Sequence, residues 1–375
     1  MEKKYCAAPW RGLHINFRGD VKTCCAGDPN MLGNINNKSL DEILHSDKLR
    51  AIRSCINYGV LHPEYCYNCI QAERNGSSER DWHNSVNHDF DVTKAGQNLE
   101  HVPTLIDVRW NTTCNLSCNY CGPYCSSRWA SLKKDFVDNG VKAYHTEVVE
   151  YIKQHEHLVR EVALVGGEPL LLEENVELLK VLEHDTLVTV ITNATVDLNK
   201  SMVFTYLTCR SNVGWSLSFD NVGERFEYVR HGSSWKLLDK NINRIKHQMN
   251  YNGHHGGIHA VYNIYNCTRL RELRQYANNK ELQILWQTLY QPEYLDPTRH
   301  NQYVRDISLR EIELYEKDYG SEPFFDAVKN SLSAIATDGD VREQFWQHIE
   351  DIENVYHKDQ KGKFGQLWPE LFMLI

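Results

Sequence analysis

No run of about 18 apolar residues occurs anywhere in the 375-residue chain, so no segment is long and apolar enough to cross a bilayer as a helix. No stretch near its start joins a basic segment to an apolar one and a small-residue cleavage site, the pattern of an exported chain. Cationic excess is also missing. The 41 Lys and Arg against 50 Asp and Glu leave a formal charge of −9, which argues against broad nucleic-acid binding. The 18 histidines form no HExxH motif, and His254-His255, in a Gly-rich turn, reads as a solvated loop rather than a zinc site. Hydrophobic residues at 41% and charged residues at 24% exclude a disordered or fibrous chain. These absences predict a soluble, cytoplasmic, globular protein without a membrane partner. At about 150 residues per domain, its length predicts one large domain and a smaller one.

What the chain does have is cysteine. Twelve are present, and in a reducing compartment free thiols point to metal rather than to disulfides. They are unevenly placed: Cys6, Cys24, Cys25, Cys55, Cys66 and Cys69 come early, Cys114, Cys118, Cys121 and Cys125 follow, and Cys209 and Cys267 stand alone. Cys55, Cys209 and Cys267 read as buried small hydrophobes, the last two also as candidates for a hydrogen-atom-donating thiol. The polar stretch between the two dense groups predicts an inter-domain connection. The expected organisation is therefore a small unit at 1–75, a linker at 76–100, a large domain at 101–300 and a helical C-terminal extension at 301–375.

In the first unit, 13–17 and 20–24 read as strands around Arg18-Gly19-Asp20. Ser39 with Glu42 makes a capping box, and Leu40, Ile43, Leu44, Leu49 and Ile52 mark an amphipathic helix ending before Gly59. So few apolar residues need a staple, which four cysteines on a metal centre would supply. Beyond residue 100, β-rich runs at 105–110, 161–165, 187–192, 213–219, 257–265 and 282–290 alternate with helical patterns at 144–158, 173–182, 235–248 and 269–277. That alternation predicts an α/β fold, a partial (β/α)6 TIM-like barrel, with function at the C-terminal ends of its strands.

Cys114-x3-Cys118-x2-Cys121 follows the first barrel strand directly. Three thiolates in one tight loop suit an iron–sulfur cube and leave one iron without a protein ligand. A closed zinc site would want a fourth ligand, for which Cys125 stands close in sequence. With Tyr120, these cysteines resemble the CxxxCxΦC signature of the radical S-adenosylmethionine (SAM) superfamily, Φ being an aromatic beside the adenine. The resemblance implies a [4Fe-4S] cluster whose open iron binds SAM, reductive cleavage to a 5′-deoxyadenosyl radical, and hydrogen-atom abstraction from a substrate. It also implies oxygen sensitivity and an electron donor such as flavodoxin or ferredoxin. Gly166-Gly167-Glu168 resembles the family's GGE motif, which binds the SAM amino group. Thr192-Asn193 resembles its TNG motif, with Ala194 where glycine is usual. Ser218 and Asp220 resemble its SxD ribose or carboxylate contacts, and Asn263 or Asn266 is expected to reach the cofactor. Arg109 and Asn111 are candidates for groups that support these contacts, and equally for a surface salt bridge or a strand cap.

Cys6, then Gly19 with Cys24, then Cys66-x2-Cys69 resembles the SPASM/twitch auxiliary iron–sulfur domain, accompanied by LGNI and SLDEIL runs similar to that family. Here the module precedes the barrel, and Cys25 could replace Cys24 as ligand. The implied auxiliary cluster is [4Fe-4S] or [2Fe-2S], and zinc is the competing occupant. Relatives of this kind often modify peptides or proteins, so a peptide substrate is favoured, with a sugar, nucleotide or other small molecule as the alternative. A non-catalytic metal-binding adaptor is the competing reading from another class. It predicts a protein that makes no 5′-deoxyadenosine.

Overall fold

A computed structural model of the chain describes residues 4–28, 30–74, 78–95, 102–133, 145–289, 291–334, 341–356 and 362–375. Parts of the expected linker (76–77 and 96–100) and of the tail (335–340 and 357–361) lie outside the described residues, as do Tyr144 and Tyr290. The strands in chain order are β1 (Gly12–Ile15), β2 (Asp20–Lys22), β3 (Gly33–Asn34), β4 (Leu105–Val108), β5 (Ser117–Cys118), β6 (Glu161–Leu164), β7 (Leu187–Thr192), β8 (Val213–Ser218), β9 (Arg230–His231), β10 (His255–Tyr262) and β11 (Gln283–Thr288).

β4, β6, β7, β8, β10 and β11 pair in parallel, each with the next, and make the six strands of an incomplete (β/α) barrel. Their side chains alternate between two environments, as the two-residue period of a strand requires. Val162, Leu164, Val188, Val190, Trp215, Leu217, Ile258 and Ala260 are buried beneath the helices. The opposite, concave face carries Asp107, Glu161, Thr189, Ser216, Ser218 and His259, and only part of it is covered. A buried parallel sheet would read as continuously apolar. The polar alternation in β7, β8 and β10 therefore marks the side on which a ligand can sit.

The N-terminal unit is not set apart from this barrel. β1 pairs in parallel with β4, placing His14 opposite Asp107, and the β1–β2 hairpin with β3 carries the sheet to nine strands. The region read as an open linker holds helices Glu79–Val86 and Val92–Ala95. Ser78 caps the first by accepting from the Asp81 N–H, a short-range signal that the polar composition concealed. The Ser39/Glu42 capping box forms as expected, but the helix it opens stops at Leu44, and Ser46 caps a second helix, Asp47–Asn57.

The C-terminal extension is helical, as expected, and packs on the barrel. The Trp368 indole lies face to face with Phe364 and donates a 2.9 Å hydrogen bond to the Tyr265 carbonyl, just past β10. Two further expectations fail. His254 is buried, with its Nδ1 accepting from the Trp215 indole at 3.1 Å and its Nε2 2.8 Å from the Arg210 carbonyl, so it is a packed turn residue and not a solvated one. Cys209 is exposed, because it caps the end of the helix Met202–Thr208 instead of lying on its inner face, whereas Cys267 is buried as expected.

Candidate active site

The loop after β4 is tied down from several directions. The Cys114 N–H donates to Ser127 Oγ at 3.1 Å, Ser126 Oγ donates to the Leu116 carbonyl at 2.6 Å, and the Trp129 indole donates to the Cys118 carbonyl at 2.8 Å. β5, which contains Cys118, pairs antiparallel with β9. Cys118 is buried and Cys114 and Cys121 are half-buried. Burial pushes the Cys114 thiol up to about 12, with Cys118 adding to the shift, and raises Cys118 as well. Cys125 is exposed and shares a thiol hydrogen bond with Cys121, which raises Cys121 and lowers Cys125.

Against this loop lies the turn after β6. Gly166 has φ +126°, open to glycine alone, and a Cβ on Gly167 would stand 2.2 Å from the Thr113 carbonyl. The Glu168 N–H donates to that same carbonyl at 2.8 Å. The glycines therefore let the turn touch the cysteine loop. The fully buried Glu168 carboxylate accepts from the Leu170 N–H (3.1 Å), Thr192 Oγ1 (2.6 Å) and the Asn193 N–H (2.8 Å), tying the β6 turn to the end of β7. These bonds hold the turn in place, and Oε2, which accepts only the Asn193 N–H among them, keeps capacity for a further donor. Burial pushes the Glu168 carboxyl up to about 7 despite those three donors.

Asn193 lies beside the cysteine loop. Its amide nitrogen is 3.9 Å from Cys114 Sγ and 3.0 Å from Asn115 Oδ1, while its oxygen accepts from Thr195. Ala194 takes φ +52°, the left-handed conformation that glycine would adopt freely. Asn241, from the helix Trp235–Asn252, secures this bend by donating to the Ala194 and Val196 carbonyls at 2.8 and 2.7 Å.

Tyr120, Asp220 and Arg230 form a buried knot behind Cys118. The Tyr120 hydroxyl donates to Asp220 Oδ2, the Arg230 guanidinium reaches that oxygen at 3.2 Å and covers the Tyr120 ring at 5.4 Å, and its NH1 lies 4.0 Å from Cys118 Sγ. Asp220 Oδ1 accepts from the Val261 N–H at 2.7 Å. Asp220 is thus engaged by the protein, while Ser218 stays half-buried on the concave face. Asn263 and Asn266 are fully buried; Asn266 Oδ1 accepts from the Asn263 N–H and both side-chain amides donate to the Val261 carbonyl, so they shape the turn after β10. Arg230 is the residue that sequence reasoning missed, since only the long-range β5–β9 pairing brings it to Cys118. Arg109 is held by Asp107 through bonds of 3.2 and 3.0 Å, and Asn111 caps its own loop by accepting from the Thr113 N–H.

The early cysteines gather as a second group. Burial pushes the Cys6 thiol up to about 12 and Cys66 up to about 11, and raises Cys24 and Cys69. Cys24 lies near enough to Cys6, Cys66 and Cys69 for their thiolate charges to oppose its own. Cys25 points elsewhere, with its Sγ 3.2 Å from Glu79 Oε2. Among the described residues, no three His, Cys, Asp or Glu side chains gather as ligands of a single ion. A four-iron cluster takes its thiolates from separate irons, so they need not converge on one point.

The radical SAM superfamily model matches residues 108–260, and that of the SPASM iron–sulfur cluster-binding domain matches residues 6–70. The chain carries a radical SAM domain. A curated relative, the 7-carboxy-7-deazaguanine synthase of Clostridium acetobutylicum, is 33% identical over 151 residues, 40% of this chain and 62% of that protein's own length. Among solved structures, native anSMEcpe with bound AdoMet is similar at 17% identity and TM-score 0.43, covering 59% of this chain and 64% of that one. Streptococcus suis SuiB bound to S-adenosylmethionine is similar at 18% identity and TM-score 0.38, covering 65% and 51%.

A radical SAM enzyme uses a [4Fe-4S] cluster and SAM, and the SPASM match adds an auxiliary iron–sulfur cluster. The donor sets fit these groups. Buried thiols without a cation resist ionisation, so the free energy for forming their thiolates has to come from bound iron, with release of protons. The Cys114, Cys118 and Cys121 thiols are available for the first cluster, and Cys6, Cys24, Cys66 and Cys69 for the second.

Proposed function

We propose that the protein reductively cleaves SAM at a cluster held by Cys114, Cys118 and Cys121 and uses the resulting radical to take a hydrogen atom from a peptide substrate. The observation that carries this reading is the contact of three elements: the cysteine loop, the Gly166-Gly167 turn touching it through Thr113, and Asn193 at 3.9 Å from Cys114 Sγ. When bound, the cluster supplies the electron and SAM the radical precursor. Gly166 and Gly167 let the β6 turn close on the cysteine loop, beside which the amino-acid end of SAM would sit, and Tyr120, fixed by Asp220 and Arg230, presents its ring beside the loop. Arg230 places a buried positive charge next to a thiolate that would otherwise lie desolvated. Ser218, Ser216, Thr189 and His259 offer hydrogen bonds to a substrate on the concave face. The auxiliary-cluster domain supports the peptide reading through the relatives that carry it. A small heterocyclic substrate is the second reading, favoured by the match to 7-carboxy-7-deazaguanine synthase.

Anaerobically reconstituted protein with dithionite is expected to form 5′-deoxyadenosine, and Cys114→Ala to form none. A wild type that makes none would leave the adaptor reading in place. Changing Cys66 and Cys69 to Ala should leave SAM cleavage intact and remove product if the second cluster relays electrons. Insoluble protein would show that it holds the N-terminal unit together.

A further inference from the structure

Beside the early cysteines lies a buried cation that has no acid. Lys22, in β2, is 7% exposed, and its ammonium donates to the Cys25 carbonyl, one residue past Cys24. Among the described residues, no carboxylate stands at ion-pair distance from it, because the acids around it are engaged elsewhere. Asp20, two residues earlier on the same face of β2, accepts from Asn16 Nδ2 at 2.9 Å and Asn34 Nδ2 at 2.8 Å. Asp107, two strands away across His14, holds Arg109 at 3.0 Å. Glu79 Oε2 accepts from Cys25 Sγ at 3.2 Å. A charge withdrawn from water has to be paired, and the neighbouring carboxylates do not pair this one.

The thiolates of the N-terminal group supply the missing anion. The segment that carries them is fixed: the Thr23 N–H donates to Tyr65 Oη at 2.7 Å, Thr23 Oγ1 lies 2.9 Å from the same hydroxyl, and the Gly27 N–H donates to the Cys24 carbonyl at 3.2 Å. Cys24 is thereby held towards Cys6, Cys66 and Cys69, while the grip of Lys22 on the Cys25 carbonyl leaves the Cys25 thiol facing Glu79. Cys6, Cys66 and Cys69 each have a backbone hydrogen bond that favours the thiolate, at Ala8, His62 and Arg80. What favours the Cys24 thiolate is the charge of Lys22. Arg80, also near these thiols, is already paired with Glu73 at 2.7 Å. An iron–sulfur group on four thiolates is anionic, and each electron it accepts makes it more so.

We infer that Lys22 is the counter-ion of the auxiliary cluster, selecting Cys24 over Cys25 as its ligand and raising its reduction potential. This rests on the auxiliary cluster that the SPASM match implies, and adds the residue that sets its potential. Lys22 is a positioning residue, acting through its charge and through the peptide next to Cys24. A fixed positive charge favours the reduced form, since the added electron strengthens the attraction, and burial keeps salt and water from screening it. Without metal the same lysine is a buried charge facing protonated thiols, so it weakens the metal-free fold.

The test uses full-length protein reconstituted anaerobically, both as holoenzyme and with Cys114, Cys118 and Cys121 changed to Ala so that the auxiliary cluster is left by itself. Its potential is read by redox titration followed by electron paramagnetic resonance. Lys22→Met and Lys22→Gln should shift the auxiliary potential downward and leave that of the Cys114 cluster in place, and Lys22→Arg, which keeps the charge, should restore most of the shift. In metal-free protein the two neutral variants should unfold at the same or a higher denaturant midpoint than wild type. Loss of the auxiliary cluster from the neutral variants, with the metal-free fold intact and the cluster kept by Lys22→Arg, would equally support the counter-ion. An unchanged potential in both neutral variants overturns the inference whatever the midpoint does, and a lower midpoint beside it would leave Lys22 as a brace for the Cys25 carbonyl. A wild type whose N-terminal cysteines hold zinc in place of iron–sulfur also overturns it. The radical SAM reading would survive that result if the same protein formed 5′-deoxyadenosine.

Discussion

Ala194 shows how one side chain can be read from sequence and still hold a surprise. The Thr192-Asn193 pair was legible because it ends a predicted strand, and alanine in the usual glycine position was visible as a departure. Its consequence was not, because backbone conformation is set by the Asn241 bonds to the Ala194 and Val196 carbonyls, which come from 45 to 47 residues away. Holding alanine at φ +52° costs about 1 kcal/mol relative to glycine, less the extra freedom glycine gives the unfolded chain. Ala194→Gly should therefore raise stability by up to about 1 kcal/mol, seen as a higher denaturant midpoint at unchanged slope. Glu168 sets a pH dependence of the opposite kind. Its ordinary value is 4.5 and burial raises it to about 7 in the folded protein, so between those values the native state holds a proton that the unfolded state has lost. The contribution to stability is complete below pH about 4.5 and disappears as pH rises through about 7. In the metal-free protein, Glu168→Gln should remove this decline, so that its stability relative to wild type improves from pH 5 towards pH 8. Parallel profiles for the two proteins would contradict the shift.

Among the elements, the six barrel strands were legible because each lies in a largely apolar run that alternates with helical patterns, and the helix after Ser39 because its capping box is local. β5 and β9 were not, since two-residue strands have no periodicity and exist only by pairing across 112 residues of sequence, as Arg230 and Cys118 do. The C-terminal helices were read as an extension from their pattern, without any sign of what they cover. They cover the turn after β10. Trp368 packs on Tyr228, Tyr265 and Phe364 and is fully buried, and its indole N–H closes a bond to the Tyr265 carbonyl. Removing that ring loses its contacts and leaves a cavity, a cost of about 3–5 kcal/mol. Trp368→Ala should lower the unfolding midpoint accordingly and loosen the turn that holds Asn263 and Asn266. Hydrogen exchange at residues 261–267 is the measurement, and unchanged protection there would mean that the extension is not the support of that turn.

The whole molecule joins what the sequence kept apart. Composition placed a boundary near residue 100, because the intervening stretch is polar and aperiodic, and pattern alone could not reveal that β1 would pair with β4. That pairing puts Lys22, His14 and Asp107 in register across three adjacent strands, followed by Arg109 on the same face. Asp107 binds Arg109 and lies 3.4 Å from His14 Nε2, and although burial opposes its ionisation, the charges of Arg109 and Lys22 help hold it below the ordinary carboxylate range. Burial in turn pushes the His14 imidazole down to about 3, so this face is a charged junction that only the assembled sheet can shield. Cutting the chain at the polar stretch would expose the β4 edge and leave Asp107 and Arg109 without the cover of β1. A fragment lacking residues 1–75 should accordingly be insoluble or lose β4 pairing, whereas a truly separate N-terminal unit would leave the barrel folded. The intact metal-free protein should unfold across the N-terminal unit and barrel in one transition, with tryptophan fluorescence and far-ultraviolet circular dichroism following the same curve. Two separated transitions would mean that the β1–β4 ladder is too weak to couple them, and the N-terminal cysteines could then be rearranged without disturbing the Cys114 loop.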